Sequence, residues 1–150
     1  MSLFGGKGGR DDQARALEQE VQRLDGLSIA ALAAEVMTKA FGPGADYEDP
    51  EEEVTVGGQN AYAGATVEGI TPTMAPGGTT KGAEDGTRLR LQRLIAEGLQ
   101  ALEHAALVRV QMHTAMGALD YTTTRLGRRV LAEGKVAQVV EADARRRIAP

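Results

Sequence analysis

Apolar residues recur along this chain with two different periods, and each change of period marks an element. Ala14, Leu17, Val21 and Leu24 stand three or four apart, the spacing that lines one stripe of a helix. A helix over 11–24 is expected, with Asp11 and Asp12 where carboxylates meet the positive end of its dipole. Asp25-Gly26 breaks it. Ser28 offers a capping hydroxyl to a second helix, in which Ile29, Leu32, Ala33, Val36, Met37 and Ala40 continue the stripe until Gly42-Pro43. Farther on, Leu91, Leu94, Ile95, Leu99 and Leu102 predict a strongly amphipathic helix over 87–106. The period then falls to two. Val108, Val110 and Met112 alternate with Arg109, Gln111 and His113, and Leu119, Tyr121 and Thr123 alternate on the return, the pattern of a hairpin with one buried face. It turns at Thr114 to Gly117. Thr124 caps a helix that Gly134 ends, and Val136, Val139, Val140, Ala144 and Ile148 line a last one. Its Arg145, Arg146 and Arg147 suit the negative end of a helix dipole.

Between the two halves the pattern fades. Residues 42–86 hold ten of the 19 glycines and four of the five prolines, too many for a continuous helix or strand. One short helix is expected inside, capped by Thr66, with Val67, Ile70 and Met74 on one side and Gly69 and Pro72 weakening it. Charge divides at the same place. The segment carries nine acids against one base, Lys81, whereas the remainder has 16 bases and 12 acids. The net charge of −4 therefore hides a basic remainder. The organisation read from the chain is a flexible tail over 1–10, helices over 11–41, a largely disordered acidic insertion over 42–86, and helix, hairpin and two further helices over 87–150.

Composition removes several functions. Without cysteine there is neither a disulfide framework nor a thiolate metal site. MSLFGGKGGR lacks the apolar core of a signal peptide, and no run approaches the roughly 20 apolar residues that span a bilayer, so no membrane partner is expected and a cytoplasmic location is the default. GGKGG is no phosphate loop, since Lys7 is followed by Gly8 and no strand precedes it. His104 and His113 fall on different elements without a third ligand. DYEDPEEE lacks the glycine and spacing of a calcium loop, and no Ser-His-acid or Cys-His set exists. An enzyme and a cofactor are not expected.

The leucine-rich helix ending EHAALVRV, the hairpin, and then YTTTRLGRRVLAEG resemble the C-terminal half of winged-helix domains of the PadR and MarR type. The matching positions are Leu107, Val108, Tyr121, Thr124 and Gly127, within residues 87–134. The resemblance implies a mainly α fold with a small β-hairpin, in which three helices precede the wing and the third enters the major groove of double-stranded DNA. The helix over 87–106 takes that place, the second helix of the chain the first, and the short segment over 66–75 the middle one.

Two functions follow from these residues. Arg90, Arg93, Glu97, Gln100 and His104 share one sector of the 87–106 helix, opposite its leucines. That face suits phosphates and base edges, although Arg93 and Glu97 also have the spacing of an ordinary ion pair. Arg125, Arg128 and Arg129 share a side of the following helix and could grip a DNA backbone. These residues describe a DNA-binding regulator. The hairpin tip, however, has no Arg or Lys. Met112 and Met116 beside it suit an adaptable apolar contact with a protein partner, which describes an interaction or assembly module. A homodimer is expected from the apolar stripes of the first and last helices.

Overall fold

The computed structural model describes residues 5–48, 64–113 and 118–148. Six α-helices and one hairpin follow in order: α1 Gly5–Asp25, α2 Ile29–Phe41, α3 Val67–Met74, α4 Asp85–His104, β1 Val108–His113, β2 Ala118–Thr123, α5 Arg125–Ala132 and α6 Val136–Ile148. The protein is mainly helical with one small antiparallel sheet, as the two periods of the sequence require.

The core forms around α4. Its Leu91, Ile95, Leu99 and Leu102 are fully buried, and α2 packs along it with Leu32, Ala33, Val36 and Met37. The helices meet closely at Gly98, where an added Cβ would lie 2.8 Å from a Val36 methyl. A larger residue there would push the two helices apart. From outside, α6 covers α2 with Val136 and Val140, and α1 covers α4 with Leu17, Val21 and Leu24. The stripes expected to drive a homodimer are thus spent inside the chain. Of the large apolar residues on α1 and α6, Ile148 is the one left open, at 83% exposure.

An ion-pair fork ties α1 to α2. The Arg23 guanidinium donates to both Glu35 oxygens at 2.7 Å and, through Nη2, to Glu20 Oε1 at 2.6 Å. The hydrogen bonds to Glu35 and then Glu20 raise the Arg23 pKa, and the same bonds from Arg23 hold the Glu35 carboxyl below its ordinary value.

Two expectations at the edges of the helices need correction. Helix α1 begins at Gly5, not Asp11, so residues 5–10 of the supposed flexible tail are helical and no acid occupies the first turn. Once nucleated, a helix gains one hydrogen bond per added residue, and this extends it through Gly8 and Gly9 despite their propensity. The second correction concerns the insertion. Residues 49–63, which include four of its nine acids, lie outside the described residues. The rest of 42–86 is largely structured. The Tyr47 amide donates to the Ala40 carbonyl at 3.1 Å, Ala65 and Ile70 are fully buried, and Met74 nearly so. Glycine and proline signal irregular backbone but not exposure, because a short capped helix can bury its apolar side on α4. Thr66 caps α3 as expected, accepting from the Gly69 amide at 2.9 Å.

The hairpin pairs Val108 with Thr123, Val110 with Tyr121 and Met112 with Leu119. Its inner end is anchored, with Val108, Tyr121 and Thr123 buried. Ala65 adds a single antiparallel bridge to Tyr121, with amide-carbonyl bonds of 2.8 and 2.7 Å. The residue preceding Thr66 and α3 therefore lies along the free edge of β2.

Candidate nucleic-acid interface

Helix α4 separates its faces as a period of 3.6 demands. Opposite the buried leucines, Arg90, Arg93, Glu97, Gln100 and His104 are all exposed. The ion pair that Arg93 and Glu97 have the spacing to make is absent among the described residues. The two side chains lie on one turn-to-turn row, each open to solvent. His104 ends the helix, and its carbonyl accepts from Arg147 Nη2 of α6 at 3.0 Å, which satisfies one of the orphan carbonyls of a helix C-terminus.

The exit from α4 fixes where α5 begins. The Leu107 amide donates to the Leu102 carbonyl at 2.9 Å and the Ala106 amide to the Glu103 carbonyl at 2.9 Å, the paired bonds of a Schellman end. Ala106 occupies its left-handed position, with φ of 61°. Thr124 then clasps this exit: its hydroxyl donates to the Ala106 carbonyl at 2.6 Å and accepts from the Gly127 amide at 2.9 Å, while its own amide donates to the Leu107 carbonyl at 3.0 Å. Gly127 packs so near that a Cβ would lie 1.9 Å from the Leu107 carbonyl oxygen. The first turn of α5, with Arg125, is thereby held beside the C-terminal end of α4.

On α5, Arg125, Arg128 and Arg129 are exposed while Gly127 and Val130 are buried. They are not equivalent. Arg128 Nη1 donates to the Thr123 carbonyl at 3.4 Å, so this side chain lies along the base of the hairpin. Arg125 and Arg129 carry no ion pair among the described residues, and neither do Arg90 and Arg93. Four other arginines are engaged by carboxylates, Arg23 by Glu20 and Glu35, Arg88 of α4 by Asp85, Arg145 by Glu141 and Arg147 by Asp143, while the exposed Arg10, Arg15, Arg109 and Arg146 carry no ion pair among the described residues. Arg90, Arg93, Arg125 and Arg129 belong to the two helices joined by the Thr124 clasp. Along α4 at about 1.5 Å per residue, Arg93 lies about 16 Å from the level of His104, so the cations form a broad surface and not a point site.

Three exposed residues carry no candidate role in the sequence pattern. Arg109 on β1, opposite Thr122, is exposed, on the outer side where the alternation of the hairpin sets it. Leu89 on α4 is 53% exposed and Leu119 on β2 47% exposed. Leu89 belongs to the arginine-bearing side, and Leu119 continues the apolar face of the hairpin beyond the core. Met112 pairs with Leu119 through the backbone, and Met116 lies outside the described residues. Two open cavities of about 430 and 440 Å³ adjoin the Arg23–Glu35 pair. Their walls come from α1, α2 and residues 73–78, with no residue of α4 or α5.

Among the described residues no helix is long and apolar enough to cross a membrane, and no group of three His, Asp or Glu side chains could hold a metal ion. Compared with models of protein families, with characterised proteins and with solved structures, the chain matches none.

Proposed function

We propose that this chain is a winged-helix DNA-binding protein that regulates transcription, with the outer face of α4 laid in the major groove and α5 gripping the flanking backbone. The order of elements supports the scaffold. Helix α2, a bridged residue at Ala65, α3, α4 and a hairpin follow one another, and the bridge joins the hairpin on its β2 side, giving three helices before a wing. The observation that carries the DNA reading is the set of exposed arginines, Arg90, Arg93, Arg125 and Arg129, that no carboxylate engages among the described residues. A duplex supplies the anions that these side chains lack, and such contacts dominate affinity for DNA. Gln100 and His104 add polar groups to the same face of α4.

The test is a salt-titrated binding measurement on mixed-sequence duplex DNA. Binding at low salt should weaken linearly as the logarithm of salt rises, and Arg125→Ala with Arg129→Ala should flatten the slope by about 0.9 for each phosphate no longer neutralised. No binding by the unaltered protein at low salt rejects the reading. One observation favours the second reading, an interaction module on the same scaffold: Leu119, 47% exposed, extends the apolar side of the hairpin to where a protein partner could cover it. On that reading the arginine substitutions are silent and Leu119→Ser impairs association.

A further inference from the structure

Gly86, Leu89, Arg90 and Arg93 stand at i, i+3, i+4 and i+7 of α4, which is one stripe of a helix. The stripe occupies the first two turns, the part of a recognition helix that meets base edges. It is uncrowded: a Cβ added at Gly86 would meet nothing within 4 Å, and Leu89, Arg90 and Arg93 are all exposed. Leu89 is the anomaly. Its isobutyl group stands 53% exposed beside two guanidinium groups that no carboxylate engages among the described residues, on a helix whose other five large aliphatic side chains are buried. An apolar group set among cations matches the floor of the major groove, where the C5-methyl of thymine is the one apolar feature and phosphates line both walls.

We propose that Leu89 is a specificity-determining residue that reads a thymine methyl in duplex DNA, with Arg90 and Arg93 holding the helix in the groove around it. The inference rests on the DNA-binding reading of α4 and goes beyond it by naming a base and the atom recognised. Contact between the leucine and the methyl withdraws about one methyl group's worth of surface from water, equivalent to about fourfold in affinity.

Short duplexes enriched by the full-length protein from a random-sequence pool provide the probe, each then prepared with thymine or with deoxyuridine, which lacks only the methyl. With the unaltered protein, deoxyuridine at one position should lower affinity about fourfold. Leu89→Ala should bind the thymine duplex about fourfold more weakly, be indifferent to deoxyuridine, and keep the same salt slope because every phosphate remains neutralised as before. A helical spectrum matching the unaltered protein excludes unfolding as the cause. Equal sensitivity to deoxyuridine in both proteins, or none in the unaltered one, overturns the inference while leaving DNA binding intact. Failure of the unaltered protein to bind any duplex rejects the DNA reading itself, and this inference with it.

Discussion

Ala106 and Gly127, two small residues at one junction, work in opposite senses. Ala106 occupies a left-handed position that costs a non-glycine residue free energy because its Cβ crowds the backbone. Gly134 fills the equivalent place after α5, with φ of 68° and matching bonds from the Lys135 amide to Val130 and from its own amide to Leu131. Ala106→Gly should therefore stabilise the fold by about 0.5–1 kcal/mol, the relief of strain exceeding the added freedom of the unfolded chain. Gly127→Ala should cost about 2 kcal/mol or more, since the Leu107 carbonyl leaves no room for a methyl and the backbone must move. Denaturant midpoints at unchanged slope measure both. A Gly127→Ala chain as stable as the unaltered one would contradict the close packing of α5 on the exit from α4, and an Ala106→Gly chain less stable than it would contradict the strain at Ala106. Part of this junction is visible in the sequence, where Thr124 is placed to cap a helix. Its bonds to the exit from α4 depend on the chain returning through the hairpin, which no local period specifies.

At the level of elements, legibility follows periodicity. Helix α2 and the two strands can be read nearly to the residue because their apolar positions repeat and their ends carry Ser28, Gly42 and Thr124. Helix α3 is only faintly legible, since eight residues containing Gly69 and Pro72 offer few repeats, and its stability comes from burial on α4. Composition describes the segment around it as a separate insertion, yet Ile70 is fully buried in the common core. Ile70→Ala should accordingly cost about 2–5 kcal/mol, the range for a large aliphatic side chain removed from a packed interior. A loss of only a few tenths by chemical denaturation would return residues 64–78 to the status of an appendage. The arginines show the same limit. Arg125, Arg128 and Arg129 share one side of a helix and so receive one role from the sequence, and only the neighbouring strand distinguishes them: Arg128 reaches the Thr123 carbonyl, while the other two remain turned to solvent.

Across the whole molecule, the distribution of charge matters more than its sum. A net charge of −4 argues against a polyanion as partner, whereas four exposed arginines on two adjoining helices, without a carboxylate among the described residues, argue for one. The acids gathered at 46–53 lower the average, and the two of them that are described, Asp46 and Glu48, make no ion pair with those arginines. If α4 and α5 act together, their contributions to the salt dependence of DNA binding should add, because each phosphate neutralised releases its own share of counterions. The most direct measurement is the slope of log affinity against log salt for the unaltered chain and for the variant with Arg90, Arg93, Arg125 and Arg129 all replaced by alanine. With every one of the four on a phosphate, the slope should fall by about 3.6, and with Arg90 or Arg93 on a base edge by somewhat less. A variant that folds as the unaltered chain does and binds DNA with the same slope would contradict the assignment of α4 and α5 to the duplex.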